Sequence, residues 1–212
     1  MNTDIDTIRS LQGIANVLQA QLLELPCAAL LDQFKTADLA AHWPRLTDSA
    51  AETKGIELLA DFLANWQGGE SQLIEVQLDY GRLFNGPGTP LAAPWGSVYL
   101  SPLGLLNDAS TLTLMNFYQA HDIRVDFNRN EPPDHLGLLL AVEGFLLGRM
   151  LDDDTGYAAS VLTELHHTHV KPWAGRCLAL AGEHAQTGLY AGMVMLAEVY
   201  FHALEQLLDK RT

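Results

Sequence analysis

Between residues 132 and 151 the chain places Leu136, Leu138, Leu139, Leu140, Val142, Phe145, Leu146 and Leu147 in all directions around a helix. A helix that is apolar on nearly every side has to be enclosed by other elements, so this one is expected to be central and buried. Its apolar stretch is interrupted by Glu143 and Arg149 and is too short to span a bilayer, so no stable membrane insertion is expected. The elements around it read as helices too. Leu and Ala outnumber Val and Ile roughly four to one, a bias towards helix rather than strand.

Periodicity agrees with that bias. Ile8, Leu11, Ala15, Leu18 and Leu22 recur at three- and four-residue steps and draw one apolar stripe, which Pro26 ends. A second helix holds Leu30, Leu31 and Phe34 and stops before Trp43 and Pro44, since a residue preceding proline avoids the helical region. A third starts near Thr47 or Asp48 and runs through Leu58, Leu59, Phe62 and Leu63 to Trp66. Ser71 reads as the N-cap of a fourth, with a stripe of Leu73, Val76, Gln77, Tyr80, Leu83 and Phe84.

Residues 85–96 are rich in Gly and Pro and form a loop. Helix resumes from Asp108 or Ser110 to His121, and residues 123–127 read as a short extended piece. After the central helix, Asp152, Asp153 and Asp154 form a solvated break. Further helices are expected at about 157–169, 173–184 and 190–208, punctuated by Pro172 and Gly188. The fold expected is all-α, a single compact domain over residues 1–212 made of many short helices around the buried one.

Charge and cysteine usage bound the function. With 26 acidic and 12 basic side chains the formal net charge is −14, which argues against nucleic acid and against an anionic membrane surface. Asp4 and Asp6 stand where a secretory signal needs positive charge, so no export signal is expected. Cys27 and Cys177 are isolated and read as small buried hydrophobes of a reduced, cytoplasmic protein. There is no Gly-x-Ser-x-Gly elbow, and Gly86-Pro87-Gly88 lacks the Lys and Ser/Thr of a phosphate-binding loop, so neither nucleophilic hydrolysis nor nucleotide binding through that loop is expected.

Glu164 and His167 stand in Glu-x-x-His spacing, as in carboxylate-bridged metal bundles, but no second copy of the pair follows. A helical metalloprotein using Glu164 and His167 is therefore the alternative reading. Against it, His166, His167 and His169 read as surface residues near a helix C-terminus. Tyr80, Phe84, Leu91, Pro94, Trp95, Val98 and Tyr99 crowd around the irregular loop. They either plug a satellite core or line a hydrophobic groove suited to an apolar peptide.

Tyr80-Gly81-Arg82-Leu83-Phe84, then Gly86-Pro87, then Ala93-Pro94-Trp95-Gly96-Ser97-Val98-Tyr99, resembles the mid-chain motif of the TorD/DmsD family of redox-enzyme maturation chaperones. Downstream, Asn130-Glu131-Pro132-Pro133-Asp134-His135 resembles the family's Glu-Pro-x-Asp-His motif, and the likeness is to the DmsD-type branch. The resemblance implies an all-helical cytoplasmic chaperone, with no enzyme activity and no cofactor of its own. Such a protein binds the twin-arginine leader of a molybdopterin-dependent oxidoreductase precursor, of the dimethyl sulfoxide or trimethylamine N-oxide reductase type, and delays export until the cofactor is loaded. It implies a leader-binding surface at Tyr80, Phe84, Pro94, Trp95, Ser97, Tyr99, Asp134 and His135. Gly88 stands where some members carry Trp, and Ala93 replaces a proline; both changes thin the aromatic wall. Related chaperones can exchange helices between subunits, so the resemblance leaves both a monomer and a homodimer open, with residues 152–156 as the hinge for such an exchange.

The leader's chemistry matches the residues. Its apolar middle needs a groove, and its arginines need carboxylates, for which Glu131 and Asp134 on the rim are the candidates and Asp126 a third. Asp134 also fits a helix-start role confined to its own backbone, and His135 one that fixes the adjacent loop.

Overall fold

The computed structural model describes residues 3–125 and 131–211. Among these it is all-α, with helices α1 (Thr3–Leu23), α2 (Ala28–Thr36), α3 (Ala50–Asn65), α4 (Glu70–Tyr80), α5 (Gly96–Leu100), α6 (Ala109–Ala120), α7 (Leu136–Met150), α8 (Tyr157–Glu164), α9 (Lys171–His184) and α10 (Gly188–Asp209). Two π-helical segments, Gly81–Asn85 and Leu165–Val170, continue α4 and join α8 to α9. No described helix is long and apolar enough to cross a membrane. Asp126, Phe127 and Asn130 lie outside the described residues.

The chain divides into two compact units: residues 1–23, 94–176 and 204–212 form one, residues 24–93 and 177–203 the other. In the first, α1 packs along α7. All five residues of the α1 stripe are buried, and so are Leu136, Leu138, Leu139, Leu140, Val142, Leu146 and Leu147 of α7. The close approach needs glycine on α7. A Cβ at Gly137 would stand 2.6 Å from Leu23 Cγ, and one at Gly148 2.5 Å from Gln12 Nε2. Phe145 departs from the enclosed helix expected, being 57% exposed, because the glycine face and the leucine faces already occupy the rest of the α7 circumference. That helix also starts later than expected. Residues 132–135 precede it as a turn, and the His135 ring caps it by accepting from Gly137 N at 3.0 Å.

In the second unit, Ser49 caps α3 by accepting from Glu52 N at 3.1 Å. Glu52 reaches back to Leu46 N at 2.7 Å and Thr47 N at 3.0 Å, a reciprocal arrangement that satisfies donors on both sides of the helix start. Ser49→Ala should cost about 1 kcal/mol and lower Tm by about 2–4 °C for a chain of this size. An unchanged melting curve would show that the Glu52 half of the cap suffices alone. The N-cap of α4 is Gly69, not Ser71. Gly69 carries the extended backbone and accepts from Leu73 N at 3.1 Å, which places Ser71 inside the first turn.

Asp79, buried on α4, accepts from Gln186 N, Thr187 N and Thr187 Oγ1 at 3.0, 2.7 and 2.8 Å, and from Arg82 at 2.6 Å. It thereby fixes the start of α10.

The Asp152–Asp154 break is more ordered than its solvated charge implies. Asp153 accepts from Thr155 and, at 2.6 Å, from Ala158 N in the first turn of α8. The bonds from Thr155, then from Ala158, hold its carboxyl below the usual range.

Candidate functional site

Two segments 37 residues apart in the chain lock together in the first unit. Trp95 and His135 form an isolated antiparallel bridge, with Leu136 N donating to Pro94 O at 2.7 Å and Gly96 N to Asp134 O at 3.1 Å. The Asp134 side chain completes the lock. Its Oδ2 accepts from Ser97 N, in the first turn of α5, at 2.5 Å and from Thr111 Oγ1 on α6 at 3.2 Å. Ser97 Oγ in turn accepts from Asn107 N at 3.2 Å, so the chain leaving α5 is tied back to its start. Asp134 therefore braces two helices, α5 and α6, rather than only the start of its own.

The aromatic residues follow from this frame. Trp95 stands edge-on to His135 with ring centroids 5.9 Å apart, and its indole N–H donates to Glu131 Oε2 at 3.2 Å. Tyr99 stacks on Trp173 at 5.7 Å, and the Trp173 indole donates to His169 O at 2.7 Å. Gly96 has to be glycine here, since a Cβ would meet Trp173 Nε1 at 2.7 Å.

A family model described as nitrate reductase delta subunit matches residues 36–179, more than half of the chain. The chain belongs to that family. Its relatives include proteins named as TorD and DmsD chaperones, which is what the two motifs resembled. A probable Tat proofreading chaperone DmsD of Haemophilus influenzae is 31% identical over 128 residues, covering 60% of this chain and 58% of that protein. The Tat proofreading chaperone DmsD of Salmonella typhimurium is 32% identical over 118 residues, covering 56% and 54%. The chaperone protein TorD of Ferrimonas balearica is 28% identical over 168 residues, covering 77% and 74%. The chain thus spans a little over half the length of the DmsD relatives it matches.

Within this TorD/DmsD family member the nine expected site residues divide by exposure and by unit. Trp95, Tyr99 and Glu131 are half-buried, while Pro94, Ser97, Asp134 and His135 are buried, all in the first unit. Asp134, expected on the rim, is only 4% exposed, because three accepted hydrogen bonds draw its carboxylate and carbonyl inward. Tyr80 and Phe84 lie in the second unit, buried against Tyr190 with centroids 6.2 and 5.7 Å away. A gap of 23 residues hid another contact from any local reading. His166, expected on the surface, is 1% exposed, and His169 is buried with it. Only His167 keeps partial exposure. The reason is charge: His166 Nδ1 lies 2.8 Å from the buried Glu143 carboxylate of α7, and Nε2 lies 3.5 Å from Glu205.

Glu164, the other half of the metal alternative, is exposed and lies 3.5 Å from His121 Nε2. No group of three or more His, Cys, Asp or Glu side chains among the described residues could hold a metal ion.

Proposed function

We propose that the protein is a cytoplasmic, non-enzymatic chaperone. It binds the twin-arginine leader of a molybdoenzyme precursor of the dimethyl sulfoxide or trimethylamine N-oxide reductase type, and holds it until cofactor insertion. The observation that carries the reading is the Asp134 lock. It joins the two halves of the family motif into one element that leaves Trp95, Tyr99 and Glu131 partly exposed. Family membership and the relatives' printed names, Tat proofreading chaperone and chaperone protein, support it.

The chemistry of a leader fits that surface. Its apolar middle needs aromatic area with little side-chain entropy to lose, which Trp95 and Tyr99 supply. A carboxylate accepts several donors, so Glu131 can hold the Trp95 indole and still receive an arginine. The net charge of −14 adds long-range attraction for a basic leader.

Titration of a fluorescent leader peptide tests the reading. Trp95→Ala should weaken binding about tenfold to thirtyfold, as truncation of a central Trp anchor does. Affinity should also fall as ionic strength rises, because arginine recognition is screened and apolar burial is not. Unchanged affinity of a folded Trp95→Ala variant would remove this surface from the leader.

A further inference from the structure

Phe145 breaks the enclosure of α7, being 57% exposed, and Tyr157, the first residue of α8, is 56% exposed. Both line a cavity of about 470 Å³ in the first unit, whose inner side is formed by Leu146, Ala158 and Val161, all buried. That volume falls within the roughly 300–1,000 Å³ of small-molecule sites, which likewise combine an apolar interior with a few polar groups.

Tyr157 is held in place at the mouth. His121 Nδ1 lies 3.0 Å from the Tyr157 hydroxyl and its Nε2 3.5 Å from Glu164, while its ring packs on Phe117 with centroids 4.6 Å apart. These contacts restrain a side chain that would otherwise rotate in solvent, so a ligand meeting it loses less entropy.

Charge narrows the ligand. Asp122, Asp153 and Arg149 also line the cavity. Asp122 lies 3.4 Å from the Arg124 guanidinium, and both Asp153 oxygens already accept, one from Thr155 and the other from Ala158 N. Among the described residues no carboxylate lies within ion-pair distance of Arg149. Its charge reaches Asp153 only as the weakest of the influences that lower that carboxyl. In a chain with 26 acidic and 12 basic side chains, a guanidinium left without a carboxylate is the uncommon case.

A carboxylate matches the planar fork of a guanidinium bidentately. Two acids against one arginine on the lining repel a doubly charged phosphate and tolerate a monoanion better. Phe145 and Tyr157 suit a flat apolar body.

We infer that this cavity binds a small aromatic monocarboxylate, its carboxylate on Arg149 and its ring against Phe145 and Tyr157. The site stands apart from the leader-binding reading. Arg149 is in the last turn of α7 and the family motif precedes its first, about 20 Å away at the usual helical rise.

Isothermal titration calorimetry with naphthoate, naphthylmethanol and naphthylmethylammonium tests this on wild type, Arg149→Gln, Arg149→Lys and Phe145→Ala. Wild type should bind naphthoate about tenfold more tightly than the neutral alcohol, and the ammonium most weakly. Arg149→Gln should bring naphthoate down to the affinity of the alcohol and leave the alcohol unchanged. Arg149→Lys, which keeps the charge without the fork, should fall between. Phe145→Ala should weaken naphthoate and alcohol alike, by about threefold to tenfold. Both residues are exposed, so Tm should stay close to that of wild type.

Naphthoate that binds wild type no more tightly than the alcohol or the ammonium overturns the inference, and so does the absence of any binding. Arg149→Gln that binds naphthoate as wild type does also overturns it, as does Phe145→Ala with both affinities unchanged. None of these results touches the leader titration on Trp95→Ala, so the two readings fail separately.

Discussion

Asp79→Ala should destabilise the protein by about 3 kcal/mol, the cost of several charge-assisted hydrogen bonds lost together at a buried site. The carboxylate is 1% exposed and receives two backbone N–H groups and one hydroxyl at the start of α10, besides Arg82. Alanine leaves Gln186 N and Thr187 N facing a void. The acid also sits favourably at a helix N-terminus, where the dipole is positive. Urea unfolding at neutral pH checks this, with Asp79→Asn expected between wild type and alanine because one acceptor oxygen remains. A loss below about 1 kcal/mol would place the effect in the range of an ordinary single hydrogen bond and show that water replaces the carboxylate at no great cost.

Asp79 also marks where the sequence stops being legible. The apolar stripe of α4 was read through Leu73, Val76, Gln77 and Tyr80, and Val76 and Tyr80 are indeed buried. Asp79 is buried beside them, while Leu78 is 62% exposed. Periodicity sees only apolarity, and the donors that make burial of Asp79 tolerable come from 107 and 108 residues away. Elements governed by local physics were readable: the α1 stripe, the all-round apolarity of α7, and the Gly/Pro loop between the π-helical turn at 81–85 and α5. Pro172 was read as a break, yet α9 begins at Lys171, directly after the second π-helical segment. Proline is tolerated in a first helical turn, where its missing N–H has no intrahelical role.

The site was legible in part, for the same reason. Motif likeness marked Trp95–Tyr99 and Glu131–His135, and the structure brings these together. What the motifs could not carry was direction. Asp134 turns inward to hold Ser97 and Thr111, whereas a rim position facing the leader's arginines was expected.

The largest loss should follow from His166→Leu, about 3–5 kcal/mol, because it strands the Glu143 carboxylate in the core without its partner. Glu143 is fully buried and its 2.8 Å contact with His166 Nδ1 ties α7 to the π-helical segment. Burial alone would push the His166 imidazole down, but the hydrogen bond and charge of Glu143, then those of Glu205, hold it above its usual value. A group raised on folding contributes stability that is complete below its unfolded pKa, about 6.5 for histidine, and that fades as pH rises through the folded value. The stability gap between wild type and His166→Leu should therefore be widest near pH 6 and narrow above neutrality. Lys171, 3.1 Å from Glu205, keeps that carboxylate charged across the window, and burial holds the nearby Tyr118 phenol neutral, so neither produces the slope. Urea unfolding of both proteins across this range measures it, and a gap independent of pH would mean that folding leaves the proton affinity of the imidazole unchanged. Glu143→Leu combined with His166→Leu should recover much of the loss, since an apolar pair of similar volume replaces the ion pair without leaving a buried charge.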